Sequence, residues 1–426
     1  MRMRLLWRRA AAALGIYGSA LLGILASIVA ARELSKIDFS RFALVFAATS
    51  LLQLFLDLTI EEVVVKYGNR YAARADWGRF HRLIRLSIRI KLAGGLLGTV
   101  GVAVVAFASP WIWSLGGIRG ALLVAGLIPL IQAPEGIASA LLLLRNRYDI
   151  RGGLLTWSMA LRLAATAIGA SFGLVQAFIA IVIAQVVSTV TSSVVAYLAY
   201  RRYPRRDVEP LAEHSREVRA FAVQSTIGSG LSSLRTLLPT VLVGMVAKPE
   251  DIGYFRIAQA PQTAFASLSA PARLVLLAEQ TRDIEHGRAD RAYRLLWRYI
   301  AATFVAAAVL VPAAWYVTPA LVPAIYGHRY AGAINPTRLI LIAASVQLVF
   351  GWTKSFPVSI GRPGLRTAGQ LVEIVAMIPL VVVLGSMYGA TGAAAGVVGS
   401  SLALGLFWIV NLSRLRLHTV SAGAAT

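Results

Sequence analysis

The chain has 426 residues, of which 58% are hydrophobic and only 14% are charged. Soluble domains carry about 25% charged residues, so this composition excludes an ordinary soluble protein, and its hydrophobicity excludes a disordered one. The absence of cysteine excludes a disulfide framework and a thiolate metal site. The net charge of +23 fits either a surface that binds nucleic acid or a membrane protein with basic residues on one side of the bilayer.

Long apolar segments recur along the whole chain. A helix needs about 20 apolar residues to cross a bilayer. Segments of this kind are predicted to span the membrane at residues 12–31, 40–58, 87–108, 120–144, 153–172, 175–199, 221–246, 253–277, 297–318, 335–356, 367–386 and 390–412. The longest loop between them, at 59–85, leaves no room for a separate soluble domain. The sequence therefore predicts an all-α polytopic membrane protein with about twelve transmembrane helices.

The basic residues alternate between the two sets of segments that separate the predicted spans. Of the 42 Lys and Arg residues, 32 lie in the set that includes both termini, 7 lie in the opposite set and 3 lie inside spans. Cytoplasmic segments of membrane proteins are enriched in Lys and Arg, so both termini are predicted to be cytoplasmic, in the cytoplasmic membrane. Because the charge is dispersed over seven segments, we expect no nucleic-acid partner.

Short motifs recur at a separation of about half the chain. Residues 74–76 and 288–290 both read Arg-Ala-Asp, and the Asp of each motif is predicted to cap the helix that follows. Gly173 and Gly389 open the sixth and the twelfth predicted span. The repeat predicts an N-terminal six-helix bundle at 1–206 and a C-terminal one at 207–426, parallel to each other around a central cavity.

No motif of catalytic chemistry is present in the sequence. The chain lacks the GxxxxGK[ST] loop of nucleotide-driven motors, the HExxH motif of zinc enzymes and the GxSxG motif of hydrolases. We therefore expect no enzyme activity, no cofactor and no bound metal. Five histidines are predicted to lie in loops or tails, solvated or at the membrane interface; they are His81, His214, His286, His328 and His418.

Ionisable residues inside or near the spans are the candidates for function, since each costs about 2.5–3.5 kcal/mol at the centre of a membrane helix. The candidates for binding an anionic substrate in a cavity are Arg235, Arg256, Arg162, Arg32, Arg41 and Lys354. The candidates for ion coupling are Glu135, Glu373 and Asp57. The alternative for each is a structural role, either in an ion pair such as Arg235 with Glu135 or in snorkelling towards the interface.

Several motifs, taken in order, resemble one known family. Residues 31–44 combine Ala-Arg-Glu-Leu-Ser with an acidic residue and an aromatic-basic stretch, and residues 253–258 read Gly-Tyr-Phe-Arg-Ile-Ala. Residues 360–363 end the tenth span with Ile-Gly-Arg-Pro, and small residues open the twelfth. This order resembles the Wzx-type polysaccharide-biosynthesis flippases of the multidrug/oligosaccharidyl-lipid/polysaccharide exporter superfamily. One departure is Pro239-Thr240, where many relatives carry an Asp-Arg-like pair.

The resemblance implies a substrate and a set of partners. Members of the family move undecaprenyl-pyrophosphate-linked oligosaccharides from the inner to the outer leaflet, for assembly of cell-surface polysaccharide. Their transport is coupled to ion or proton gradients, for which Glu135 and Glu373 are the candidate carriers here. The expected partners are the lipid-linked oligosaccharide, membrane lipids, a polysaccharide polymerase and glycosyltransferases.

Three other functions are alternatives to the flippase. A multidrug-type cation-coupled antiporter would be expected to have an acidic cavity, whereas the ionisable residues within these spans include three arginines. A membrane-bound polymerase or glycosyltransferase would need a large catalytic loop, which this chain lacks. A non-transporting scaffold for envelope synthesis stays open at the level of the sequence.

Overall fold

A computed structural model describes residues 2–56, 60–204, 206–211, 215–286, 288–354, 356–359 and 364–423. Every regular element within these ranges is helical, which confirms the predicted all-α class. The first eight helices are α1 (Arg2–Glu33), α2 (Lys36–Leu56), α3 (Ile60–Ala73), α4 (Trp77–Ile112), α5 (Arg119–Ala125), α6 (Ile128–Leu144), α7 (Tyr148–Ala170) and α8 (Leu174–Tyr200). The remaining helices are α9 (Ser215–Val246), α10 (Pro249–Ala258), α11 (Ala260–Glu285), α12 (Ala289–Tyr326), α13 (Ile334–Val349), α14 (Phe356–Ser359) and α15 (Gly364–Gly423). Short 3-10 helices occupy His328–Ala333 and Phe350–Lys354.

The described helices match the predicted spans closely. Nine helical segments in the described ranges are long and apolar enough to cross a membrane. Two predicted spans, 367–386 and 390–412, share the single segment Gly364–Arg414. The span at 221–246 is represented by the shorter apolar helix Ser233–Val246, and the span at 253–277 is divided between α10 and α11.

Large apolar side chains cover the outside of these helices. On α12, Phe304, Val305 and Val309 are each more than 60% exposed. Such an apolar surface is unfavourable in water but not in the hydrocarbon of a bilayer. A helix can cross hydrocarbon because its backbone hydrogen bonds are made within the helix. The length of the helices and their apolar exterior identify a multi-pass membrane protein.

The chain divides into two compact units, at residues 1–237 and 238–426. Residues 215–237 of α9 group with the first unit because their side chains contact α3. The Glu217 carboxylate accepts hydrogen bonds from Arg70, with an N–O distance of 3.0 Å, and the Phe221 ring packs edge-on against Tyr67. The predicted boundary between the two repeats, at 206/207, stays a prediction.

The Arg70–Glu217 pair also sets the ionisation of the carboxyl group. Desolvation raises the pKa of Glu217, but the hydrogen bonds and the positive charge of Arg70 outweigh it. The pKa of Glu217 therefore lies below its ordinary value, and this surface pair is strongest when the carboxyl group is ionised.

The corresponding glycines of the repeat share an unusual backbone conformation. Gly173 opens α8 with φ 122°, and Gly389 interrupts α15 with φ 58°, which separates the eleventh from the twelfth predicted span. Positive φ values strain residues that carry a Cβ atom. At the second position, the Asp251 carboxylate accepts a hydrogen bond of 3.0 Å from the backbone N–H of Ala390 and so caps the last span.

The capping prediction holds in one repeat only. Asp76 caps α4, since its carboxylate accepts a 3.2 Å hydrogen bond from the backbone N–H of Arg79. The prediction for Asp290 was wrong, because α12 begins one residue earlier, at Ala289, and Asp290 lies in its first turn. There its negative charge still complements the positive end of the helix.

The prediction that His81 lies in a solvated or interfacial loop was also wrong. Helix α4 begins ten residues before the predicted span, and this extension places His81 inside the protein, where it is only 7% exposed. Its Nδ1 atom lies 2.6 Å from the Tyr200 hydroxyl and its Nε2 atom lies 2.9 Å from the Pro204 carbonyl oxygen. His81 therefore ties the start of α4 to the end of α8.

Candidate functional site: a polar cavity in the first unit

A cavity of about 650 Å³ lies among the helices of the first unit. Helices α2, α3, α4, α6 and α7 each contribute residues to its wall. Its polar lining consists of Gln53, Glu61, Glu62, Lys66, Lys91, Gln132, Glu135, Ser139 and Arg151. A cavity of this size and polarity, enclosed by otherwise apolar helices, is typical of a site for a hydrophilic ligand.

The cavity extends along most of α6, from Gln132 near its start to Leu143 near its end. Gln132 precedes the last residue of α6 by 12 positions, which corresponds to about 18 Å at 1.5 Å per residue. Since the hydrocarbon core is about 30 Å thick, this distance predicts a position near its middle for Gln132. The opposite end of the cavity includes Arg151, close to the start of α7. By the predicted orientation, this end is the cytoplasmic one.

A buried ion pair forms part of the cavity wall. Lys91 on α4 lies with its Nζ atom 2.7 Å from the Oε1 atom of Glu61 on α3, and the lysine side chain is only 3% exposed. The glutamate reaches the lysine by passing across Gly136 of α6, where a Cβ atom would lie 2.5 Å from the Glu61 Cδ atom. Three helices are thus joined at one point by an ion pair that requires a glycine.

Hydrogen bonds hold five of the other polar side chains of the cavity. Glu135, a predicted ion-coupling residue, accepts a 2.7 Å hydrogen bond from the Ser188 hydroxyl of α8. Arg151 donates to the Ser139 hydroxyl at 2.6 Å. The amide groups of Gln53 and Gln132 lie 3.4 Å apart, from nitrogen to oxygen. The wall therefore presents amide, carboxylate and guanidinium groups side by side.

The second unit contains a separate buried network around Glu373, another predicted ion-coupling residue. Glu373 is 1% exposed, and its carboxylate accepts a 3.1 Å hydrogen bond from the Gln347 side chain. The same amide nitrogen of Gln347 lies 2.9 Å from the Ser401 hydroxyl, and its oxygen accepts from Gln262 at 2.8 Å. The network links α11, α13 and α15 by polar groups within the membrane segment.

The predicted anion-binding arginines of the later spans lie on α9 and α10. Arg256 is half-buried and donates to the Gln259 side-chain oxygen at 3.3 Å, and the same oxygen accepts from the Thr240 hydroxyl. Arg235 is half-buried on α9, within the first unit. Neither residue lines the polar cavity described above.

The remaining predicted residues are placed elsewhere. The Arg162 guanidinium stacks over the Phe46 ring at 4.4 Å, and Arg41 forms a 2.9 Å ion pair with Asp38. Arg32 is exposed in the last turn of α1. Lys354 ends a short 3-10 helix whose backbone alone is described there, and Asp57 lies outside the described residues. The structure therefore places Glu135 in the cavity, whereas none of the five predicted basic residues with described side chains lines it.

Of the nine polar residues that line the cavity, Glu135 alone is among the site residues predicted from the sequence. The charge pattern places Lys91 with the cytoplasmic basic residues, although its position as the fifth residue of the span at 87–108 indicates burial. Gln132 carries no charge, so the pattern of ionisable residues does not reveal it. Within the described ranges, no group of three His, Asp or Glu side chains is placed to hold a metal ion.

Solved structures of similar fold include membrane transporters and a flippase. An inward-facing multidrug resistance MATE family transporter of the MOP superfamily superposes with a TM-score of 0.75, at 13% identity, over 96% of each chain. The lipid II flippase MurJ superposes with a TM-score of 0.72, at 12% identity, over 94% of this chain and 87% of MurJ. A MOP superfamily transporter from Pyrococcus furiosus gives a TM-score of 0.61, at 15% identity, over 98% and 95% of the two chains. The fold is thus that of polytopic transporters built from two six-helix repeats.

The sequence profile of the polysaccharide biosynthesis protein family matches residues 9–277, well over half of the chain. The protein belongs to this family, as the resemblance of its motifs predicted. No curated protein matches the chain. Family and fold are those of transporters and flippases rather than of enzymes.

Proposed function

We propose that the protein is a flippase that moves a lipid-linked oligosaccharide, carried on undecaprenyl pyrophosphate, across the cytoplasmic membrane for cell-surface polysaccharide assembly. The observation that carries the proposal is a deep polar cavity in a chain of the polysaccharide biosynthesis family. Sugars cannot cross hydrocarbon without replacing their hydrogen bonds to water, and a cavity lined by amide, carboxylate and guanidinium groups offers such replacements. The lipid tail can remain in the bilayer during transport.

The cavity is proposed to receive the sugar part of the substrate from the cytoplasmic side. Gln53, Gln132 and Arg151 supply donors and acceptors along its length. The ammonium group of Lys91 and the guanidinium of Arg151 are balanced by the carboxylates of Glu61 and Glu135. This mixture suits a ligand rich in hydroxyl groups better than a purely cationic one.

The diphosphate is proposed to bind to arginines outside this cavity. Arg235 on α9 is the first candidate, followed by Arg256 on α10, because both lie inside predicted spans, where an unsolvated anion gains most from a guanidinium. Arg162, Arg32, Arg41 and Lys354 remain further candidates. Glu135, Glu373 and Asp57 are proposed as sites that couple transport to an ion or proton gradient.

Transport can be measured in proteoliposomes that contain a fluorescent undecaprenyl-pyrophosphate-linked disaccharide in both leaflets. A soluble enzyme that extends the disaccharide reports the fraction exposed outside, and this fraction rises above one half only if the protein flips the substrate. We expect Gln132→Leu to abolish the rise by removing a hydrogen-bonding group from the cavity. The matched control is Gln176→Leu, since Gln176 is an exposed glutamine of α8 outside the cavity.

A second pair of variants tests the proposed diphosphate site. Arg235→Ala is expected to abolish flipping, whereas Arg219→Ala, an exposed arginine nearer the start of the same helix, is expected to leave it intact. Equal flipping by both variants, at equal protein levels, would contradict the role of Arg235. Flipping unaffected by Gln132→Leu as well would contradict the proposed cavity.

The fold similarity to multidrug MATE transporters makes an antiporter the alternative outcome of the same experiment. Proteoliposomes that accumulate a cationic dye in response to a sodium or proton gradient, but do not flip the lipid-linked disaccharide, would support an antiporter. Proteoliposomes inactive in both assays would favour the scaffold. For the flippase, we propose that a polysaccharide polymerase and glycosyltransferases are its partners and that both termini are cytoplasmic.

A further inference from the structure

A second cavity, of about 1090 Å³, lies in the second unit between the end of α11 and the start of α12. Five arginines and three carboxylates line this arginine groove, together with exposed aromatic surface. Its charged residues are Glu279, Arg282, Asp283, Arg288, Asp290, Arg291, Arg294 and Arg298. The groove shares no residue with the polar cavity of the first unit.

One carboxylate organises the wall of the groove. Asp283, only 10% exposed, lies 3.0 Å from an Nη2 atom of Arg288 and 3.6 Å from the Nε atom of Arg291. The shorter contact holds the Arg288 guanidinium at the rim, and the longer one keeps Arg291 close to the same carboxylate. Arg282, Arg294 and Arg298 are exposed and line the same space. The groove thus carries more positive than negative charge, and Asp283 helps to position two of its arginines.

The groove lies at the depth of lipid headgroups. Helix α12 has 38 residues and is therefore about 57 Å long, whereas the hydrocarbon core is only about 30 Å thick. Phe304 begins the lipid-facing surface of this helix and follows Arg298 by six residues, or about 9 Å. Trp297, which is 41% exposed, lines the groove beside Arg298. Tryptophan is enriched at the level where headgroups meet hydrocarbon.

We propose that the arginine groove binds the phosphate headgroup of an anionic phospholipid of the cytoplasmic leaflet. Guanidinium groups bind phosphate oxygens through paired hydrogen bonds. The predicted orientation places the groove on the cytoplasmic side, where basic pockets between membrane helices bind anionic headgroups. Trp297 and the apolar surface that follows it lie where the glycerol backbone and the acyl chains of a bound lipid continue. This site is independent of whether the cargo is a lipid-linked oligosaccharide.

Binding can be measured on the purified full-length protein by native mass spectrometry in detergent. The probes are dioleoylphosphatidylglycerol, zwitterionic dioleoylphosphatidylcholine and undecaprenyl pyrophosphate without sugar. We expect phosphatidylglycerol to bind much more tightly than phosphatidylcholine. Removing one arginine near an anionic lipid lowers affinity about fivefold, so Arg294→Gln with Arg298→Gln should weaken phosphatidylglycerol binding by about 30-fold.

The first half of the chain offers a matched control for this pair. Arg85 and Arg89 of α4 are exposed, also four residues apart and also precede the lipid-facing part of a long helix, but they lie outside the groove. Changing both to Gln should leave phosphatidylglycerol affinity within about twofold of the unchanged protein, since they do not contact the site. The double variant Arg294→Lys with Arg298→Lys keeps both charges and should retain most of the phosphatidylglycerol affinity. This variant tests the site even if the double glutamine variant folds poorly.

Three results would overturn the proposal. The first is equal weakening by the α4 pair and the α12 pair, which would indicate nonspecific attraction to the positive charge of the whole protein. The second is equal binding of phosphatidylglycerol and phosphatidylcholine. The third is tighter binding of undecaprenyl pyrophosphate, lost in the glutamine pair, which would make the groove a receptor for the diphosphate of the cargo.

Discussion

Replacing Gly136 with alanine tests the contact on which the Glu61–Lys91 pair depends. A Cβ atom at position 136 would lie 2.5 Å from the Glu61 Cδ atom and 2.8 Å from its Cγ atom. Side-chain rotation of Glu61 can relieve this overlap, but the carboxylate then leaves the Lys91 ammonium, which is only 3% exposed. Gly136→Ala is therefore expected to destabilise the protein by breaking the Glu61–Lys91 ion pair, although Gly136 is not a member of that pair.

The size of the effect follows from the burial of the two partners. Breaking a fully buried ion pair by losing one partner costs about 3–5 kcal/mol. Glu61 is 31% exposed, so solvent screens the pair and a loss of about 2 kcal/mol is the better expectation. Alanine in place of a helical glycine returns up to about 1 kcal/mol of helix propensity. The net effect of Gly136→Ala is then a loss of about 1 kcal/mol or slightly more.

The decisive measurement compares Gly136→Ala in two backgrounds. In the unchanged protein we expect the midpoint of thermal unfolding, measured in detergent at one scan rate, to fall. In a Glu61→Ala background the obstructing atoms are gone, and the same substitution should raise the midpoint. Gly153→Ala on α7, where a Cβ atom meets nothing within 4 Å, controls for helix propensity. A similar fall in both backgrounds would refute this reasoning.

Three further predictions concern other contacts. Gly15→Ala places a Cβ atom 2.5 Å from the backbone of Gly152. It should push α1 away from α7 and lower the stability by about 2 kcal/mol or more. The control Gly23→Ala, whose Cβ atom would meet nothing within 4 Å, should be neutral or stabilising in the same unfolding assay. Asp251→Ala removes the cap of the last span and should cost about 1 kcal/mol, seen as faster hydrogen exchange at the start of that span and not in α1. Because the pKa of Glu217 is lowered, its pairing with Arg70 stabilises the fold at pH values above the ordinary pKa of a glutamate. This stabilisation is lost as the pH falls through the lowered pKa. The stability of Glu217→Gln should therefore depend less on pH in that acidic range, and an unchanged dependence would count against the pairing.

Features that are encoded locally were predictable from the sequence. The helical spans follow from the length of the apolar segments, and the described helices coincide with most of them. The two glycines of the repeat were paired by position alone, and both have positive φ values. Asp76 caps α4 because a cap is formed by neighbours in sequence.

Features that depend on distant segments were not predictable in this way. The partner of Lys91 is Glu61, thirty positions earlier on another helix, and hydropathy contains no information about which helices meet. Gln347 joins the members of the Glu373 network through an uncharged amide. In the sequence alone, such a glutamine looks the same as any other polar residue. His81 was misplaced because a helix can continue beyond the hydrocarbon, so the ends of apolar segments understate the length of α4.

The glycine turns at Gly173 and Gly389 bear on how the chain is built into a membrane. Each turn joins the last two of six predicted spans, so each half ends in a tight helical hairpin of its own. Six is an even number, and a half with six spans ends on the side of the membrane where it began. A second half can therefore insert by the same steps as the first during synthesis, without inverting any helix, and the first half can close its final hairpin before the second emerges from the ribosome.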